Sequence, residues 1–138
     1  MEFQVDIAKF QGTVEKRLSQ IARKVTLELH KNIVLETPVD TGRLKANNQI
    51  GIGSRPTSSV LDTDKSSVGS PGKTVAQEAP KVNDYKPGDD LWITNNVEYA
   101  YYVEVGHHRV PPVAMFGRSY LAVLNKWPSI VQEVSSET

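Results

Sequence analysis

Cysteine is absent from the 138 residues, which excludes disulfide staples and thiolate metal sites and makes a cytoplasmic folding compartment the natural expectation. Long apolar runs are missing too: nothing approaches the ~18 uninterrupted apolar residues of a membrane span. The N-terminus lacks the basic-then-apolar order of a signal peptide. An excess of either charge is the third absence. Sixteen Lys and Arg balance sixteen Asp and Glu. The balance is also local, with eight basic against six acidic in residues 1–45, five against six in 46–90 and three against four in 91–138. No segment offers the concentrated positive field that draws DNA or an anionic membrane, so neither sequence-specific nucleic-acid binding nor membrane association is expected. Apolar residues make up 38% and mean hydropathy is −0.39. That suffices for one domain with one core, with part of the chain left outside it.

What is present centres on Lys86 to His108. Pro87-Gly88 signals a turn, and Leu91-Trp92-Ile93-Thr94 is a short β-branched and aromatic run suited to a strand, stopped by Asn95-Asn96. Three of the five tyrosines, Tyr99, Tyr101 and Tyr102, then fall within four positions. As a strand this stretch aligns Val97, Tyr99, Tyr101, Val103 and Val105; as a helix it aligns Tyr99, Tyr102, Val103 and Gly106. Both remain open.

Toward the N-terminus, Ile7, Phe10, Val14, Leu18, Ile21, Val25, Leu29 and Ile33 recur every three or four residues, which predicts a long amphipathic helix. Gly12 is a candidate break with Thr13 as N-cap, and the helix should stop before Pro38. Lys16, Arg17, Arg23, Lys24 and Lys31 lie mostly off the stripe, either as a solvated face or as a contact for an acidic neighbour. Pro38-Val39-Asp40-Thr41-Gly42-Arg43-Leu44 follows as a sharp connection: Pro38 stiffens it, Asp40 can accept a backbone hydrogen bond, and Gly42 allows a positive φ. Alternation from Leu44 to Gly53 predicts a strand in which Asn48 interrupts the apolar face. From Ser54 to Gly72 the chain is rich in serine and proline and poor in large apolar residues, which predicts a long mobile loop or arm. Lys73 to Ala79 reads as one or two helical turns ended by Pro80. After the loop His107 to Pro112, Met115, Phe116, Ser119, Tyr120, Val123 and Trp127 predict a second helix over Val113 to Lys126, interrupted by Pro128, with a further turn at Ile130 to Val134 and a frayed tail from Ser135.

Little of this pattern carries chemistry. His107 and His108 with Glu104 and Glu98 form one cluster that suggests a metal-dependent enzyme, but adjacent histidines rarely face one ion and no i, i+4 ligand pair accompanies them. Solvated loop histidines are the plainer reading. A serine, histidine and Asp40 triad would draw its nucleophile from a loop that cannot hold it in place. Gly69-Ser70-Pro71-Gly72-Lys73-Thr74 ends like a phosphate-binding loop, but Val68 occupies the first glycine position and Pro71 removes a needed N–H.

Taken together, Thr37-Pro38-Val39-Asp40-Thr41-Gly42-Arg43-Leu44 after a long helix, Lys86-Pro87-Gly88-Asp89 before a strand, Asn95-Asn96-Val97-Glu98-Tyr99-Ala100, and Glu104-Val105-Gly106 carry a likeness. The chain resembles the tail-component proteins of long-tailed bacteriophages, the family that includes the minor tail protein Z of lambda-like phages and related neck or tail-completion proteins. The resemblance covers roughly residues 14–53 and 73–127. It departs at Ala114-Met115, where the family often has Gly-Met, and at Pro80, which interrupts a usual helix. It implies a non-enzymatic virion protein with no cofactor, acting in tail completion and head-tail joining at the neck. Its implied partners are a tail terminator or tail tube ring and head-completion proteins, and it implies a homo-oligomeric ring, made in the host cytoplasm and ending in the virion. Pro38, Asp40, Thr41, Gly42 and Leu44 would fix the turn between helix and sheet. Asn96, Tyr99 and Ala100 would fix the turn into Glu104 and Gly106, with Glu104 buried against a backbone donor or Arg43.

The expected architecture is α+β in one domain, residues 1–138. A long N-terminal helix and a C-terminal helix pack on a small, mostly antiparallel sheet drawn from residues 44–53 and 91–95, joined by 99–105 if that stretch is a strand. The loop 54–72 is an arm that orders against a neighbouring subunit. A lumen protein touching DNA through the basic side of the first helix is the remaining alternative.

Overall fold

The computed structural model describes residues 7–136, with side chains from residue 12 onward. The elements run α1 (Ile7–Glu36), α2 (Arg43–Ala46), β1 (Gln49–Ile52), α3 (Gly72–Glu78), a 3-10 turn (Ala79–Asp84), β2 (Leu91–Thr94), α4 (Ala100–Val105) and α5 (Met115–Ser136). The class is α+β, with a long helix toward each end and, among the described residues, one two-stranded antiparallel sheet in the register Ile50↔Ile93 and Ile52↔Leu91.

Thirty residues make α1 about 45 Å long. Gly12 does not break it: one glycine costs a helix only about 1 kcal/mol, less than the neighbouring turns supply. The helix ends where expected, at Glu36, and Thr37 closes it by donating its hydroxyl to the Ile33 carbonyl at 2.7 Å. Salt bridges Lys24–Glu133, Glu28–Lys126 and Glu36–Arg118 descend one helix as they climb the other, so α5 lies antiparallel along α1. Ser119, Val123, Ile130 and Val134 form the buried side of α5. Pro128 sits inside this helix without ending it. The carbonyl it strands, on Leu124, lies on the exposed side, where water can take the missing hydrogen bond. Val123 and Ile130, buried on either side of the proline, hold the helix through that point. Ser135 and Ser136 are helical; the rest of the expected frayed tail lies outside the described residues.

The core joins Ile33, Leu44, Val97, Ala100 and Met115, with Leu29, Ile93, Val103, Val113 and Phe116 against them. Ile33, Leu44, Val97 and Met115 each contribute roughly 1.5–3 kcal/mol by leaving water.

Four further expectations change. The strand predicted over 44–53 begins only at Gln49, because Leu44 to Ala46 closes a helical turn through Ala46 N–H to Gly42 O and Asn47 N–H to Leu44 O. The alternation of Leu44, Ala46 and Asn48 was a coincidence of spacing. The stretch 99–105 adds nothing to the sheet: Val103 N–H bonds to Tyr99 O, and α4 puts Ala100 into the core. Ser54 to Pro71 has no regular element, as expected, yet it is hydrogen-bonded to its own domain and not held out as an arm. Pro80, instead of merely ending α3, starts the 3-10 turn that continues it. No helix among the described residues is long and apolar enough to cross a membrane.

Candidate functional site

Three of the four stretches singled out by sequence meet around the first turn of α5, while Lys86 to Asp89 lies apart, beside Ile52, Gly53, Lys81 and Asp84. The connection after α1 is set by Gly42, whose φ is +87° and whose missing Cβ would stand 2.4 Å from the Asp64 carbonyl oxygen. Any side chain there meets both a strained backbone and a clash with the loop. Gly42 O in turn accepts Asp64 N–H at 2.9 Å. Within this turn it is Thr41 that bonds the backbone, its hydroxyl oxygen accepting Arg43 N–H at 3.2 Å, while Asp40 stands exposed. Leu44 enters the core and its carbonyl accepts Asn95 Nδ2 at 2.8 Å.

Asn95 is the hinge of the second stretch. Its amide also donates to Asn48 Oδ1 at 3.1 Å, and its own Oδ1 accepts Val97 N–H at 3.2 Å, an Asx turn that starts the path into α4. Asn96, which the sequence reading preferred, faces the other way and ties down the loop through Pro56 O at 2.9 Å. Arg43 and Glu98 make a bidentate pair at 2.8 and 3.0 Å. Hydrogen bonding to Arg43 holds the Glu98 carboxyl below its ordinary range, and the same bond raises Arg43. Tyr99 precedes α4 and, with Pro38, Asp40, Thr41, Gly42 and Val103, lines a small cavity of about 200 Å³.

Glu104 takes backbone donors and not Arg43, and it is half-buried where burial was expected. Its carboxylate accepts Phe116 N–H at 2.8 Å and Gly117 N–H at 3.1 Å. These amides belong to the first turn of α5, which has no partner for them within the helix. Glu104 is thus an N-terminal cap supplied by a different helix, in the place where negative charge also meets the positive end of the helix dipole. Gly106 makes the approach possible. Its φ is +77°, and a Cβ would stand 2.8 Å from Pro112 N, so the chain can fold back through the His107–Val110 bridge onto α4. Val113 N–H and Ala114 N–H then bond to the Val103 and Glu104 carbonyls.

His107 and His108 are exposed on this turn, His107 with its ring 5.3 Å from that of Tyr102. With Glu104 spent on α5, the histidines and the carboxylate do not come together. No group of three His, Cys, Asp or Glu able to hold a metal occurs among the described residues.

A second polar network escaped the sequence reading. Lys45 is fully buried, and its ammonium donates to Ser66 Oγ at 2.6 Å, Ser67 O at 3.1 Å and Ser70 O at 2.6 Å. Ser66 Oγ in turn donates to Asp64 at 2.7 Å, and Asp64 also accepts Thr74 N–H at 3.0 Å and the Thr74 hydroxyl at 2.6 Å. Burial alone would raise the Asp64 carboxyl, but the bonds from Thr74 and Ser66 outweigh it and hold the group well below the usual carboxylate range. Lys45 and Ser66 resemble a nucleophile and base by distance only, since the lysine's hydrogen bonds all go to loop oxygens and Ser66 Oγ is itself held by Asp64. Next to the start of β1, His30, buried, meets Asn48 O at 2.9 Å; burial lowers its pKa, against that bond and Glu78, which raise it, with Lys81 adding to the lowering. The signals for this network were an Asp-x-Ser turn and an asparagine inside an apolar alternation, and for Lys45 there was none.

No protein family, curated protein or solved structure matches the chain.

Proposed function

We propose that the protein is a structural component of a long-tailed phage virion, acting at the neck in tail completion and head-tail joining. In this reading it works as one copy of a ring that contacts a tail terminator or tail tube ring and head-completion proteins. The observation that carries the reading is where the resembling residues go. Gly42, Leu44, Tyr99, Ala100, Glu104 and Gly106 are spread over more than sixty positions of sequence, yet they converge on one unit around the start of α5. Each is used for turn geometry, capping or packing. A scaffold that must present rigid surfaces to neighbours needs such residues, whereas an enzyme needs its carboxylates and histidines free to react. The Tyr101, Tyr102 and Val110 side chains are exposed beside this unit, the amphipathic type of surface that interfaces favour.

The test is electron microscopy of lysates from a phage whose gene for this chain carries an early stop codon. Filled heads beside unattached or defective tails are expected. Normal infectious particles would remove the proposal.

A further inference from the structure

The sheet is too narrow for the helices beside it. Two paired strands are about 10 Å across, while two helices packed side by side span about 20 Å, so β1 and β2 can cover α1 and not α5 as well. The shortfall is an open apolar groove of about 730 Å³ bounded by α1, α5 and β2, with Leu29, Leu91, Ile93, Phe116, Tyr120 and Trp127 among its walls. Tyr120 and Trp127 remain 55% and 45% exposed there.

The backbone says what shape of occupant this groove takes. Along an antiparallel pair, residues alternate between exchanging hydrogen bonds with the partner strand and turning the same groups outward. Gly53 N–H donates to Asp90 O at 2.8 Å at one end of the ladder, which puts Trp92 and Thr94 in bonded pairs and turns the N–H and C=O of Leu91 and Ile93 away from β1. Ile50, opposite Ile93, fixes the same phase: its N–H points away from β2 and is taken by Glu78 Oε1 at 2.9 Å. Glu78 thus covers the β1 edge. Among the described residues nothing covers the β2 edge, and the two residues whose backbone faces outward there, Leu91 and Ile93, are the ones that line the groove.

We propose that residues 1–6 of a second copy add to the free edge of β2 as a third strand and lay their apolar side chains in the groove. Free donors and acceptors two residues apart beside an apolar trough require an extended occupant with apolar residues at alternate positions; a helix has its backbone groups already bonded. Met1-Glu2-Phe3-Gln4-Val5-Asp6 has that pattern, with Met1, Phe3 and Val5 on one side and Glu2, Gln4 and Asp6 on the other. Its length also fits, since six extended residues span about 20 Å and the four of β2 about 13 Å. The segment cannot serve its own molecule. Ile93 packs in the cluster that holds Leu29 and Ile33, and from Ile7, where α1 begins, to Leu29 is about 33 Å of helix, farther than six residues can run back. Residues 12–18 of α1 are exposed, which leaves room for a neighbour along that part of the helix.

The contact deepens the ring of the proposed function and rests on that reading for its place in a virion, but its test uses purified full-length protein and so fails or holds apart from the genetics. Amide exchange followed by nuclear magnetic resonance compares wild type with Phe3→Asp, each at about 300 μM. In wild type the Leu91 and Ile93 amides should exchange slowly, as those of Trp92 and Thr94 do. In Phe3→Asp they should exchange at least ~10-fold faster, with Trp92 and Thr94 unchanged as the sign that the fold is intact. Sedimentation of the same variant should show self-association weakened at least ~10-fold. Because the chain has no cysteine, single cysteines then report the pairing. Gln4→Cys mixed with Trp92→Cys should form a disulfide well above Gln4→Cys mixed with Val68→Cys, which is exposed on a loop away from the groove. Leu91 and Ile93 amides that exchange fast in wild type, or equally slowly in both proteins, overturn the proposal. So does a Phe3→Asp protein that sediments like wild type, or a cysteine pair that forms no more disulfide than its control.

Discussion

Replacing Glu104 by alanine removes both acceptors from the first turn of α5 and leaves the Phe116 and Gly117 amides to find water in a partly covered site. Losing an N-cap costs about 0.5–2 kcal/mol, and losing a negative charge at a helix N-terminus costs a further ~0.3–1 kcal/mol. The sum worked from this geometry is about 2 kcal/mol for Glu104→Ala. Glu104→Gln keeps one carbonyl oxygen but turns an NH₂ toward the other amide, so about 1 kcal/mol is expected. At roughly 3–4 °C per kcal/mol for a chain of this size, the alanine variant should melt about 7 °C below wild type, with the glutamine variant between them. Thermal unfolding followed by circular dichroism measures this. Glu98→Ala, which breaks only the exposed pair with Arg43, should move the curve far less. If Glu104→Ala melts within about 1 °C of wild type, the cap is not stabilising and the account of this site fails.

The remaining predictions concern the buried polar groups. Lys45→Met leaves Ser66 Oγ, Ser67 O and Ser70 O without their donor, and should cost about 3 kcal/mol in urea unfolding and open the loop to protease; a variant whose loop stays as resistant as wild type would count against the staple. For His30 the folded pKa lies below the unfolded value, so the unfolded state takes up the proton first. Its stability contribution is whole above pH ~6.5 and is lost as pH falls from there through the folded value, with a slope of at most ~1.4 kcal/mol per pH unit. His30→Gln should flatten this part of the stability profile between pH 7.5 and 5.5, and an unchanged slope in that variant would assign the dependence elsewhere.

Elements with a strong period were legible in the sequence. The stripe Ile7 to Ile33 and the run Leu91 to Thr94 gave α1 and β2, because burial of one face dictates spacing. Leu44 to Ala46 was misread since three residues of alternation cannot be told from one helical turn, and the deciding facts were the positive φ of Gly42 and the position of Asp64. Pro128 was given its usual effect, which tertiary packing on both sides overrode. In the site, the turn roles of the glycines were legible in kind, while the cap made by Glu104 was not: no local pattern says that it closes a helix beginning eleven residues on, or that Asn95 and not Asn96 looks inward.

The loop 54–72 shows why composition misleads in this chain. A segment poor in apolar residues cannot offset its ordering entropy by leaving water, and from that a mobile arm follows. Here the offset comes from charge-assisted hydrogen bonds in a buried setting, worth about twice a neutral bond. Lys45 gathers the loop's oxygens, and Asp64 takes the Thr74 amide in the first turn of α3, as Glu104 does for α5. The two carboxylates do the same work at two helices distant in sequence. Against a sheet with two strands among the described residues, short helices such as α3 cannot hold themselves. Polar side chains sent from elsewhere in the chain complete their first turns, and that joins loop, helices and sheet into one body.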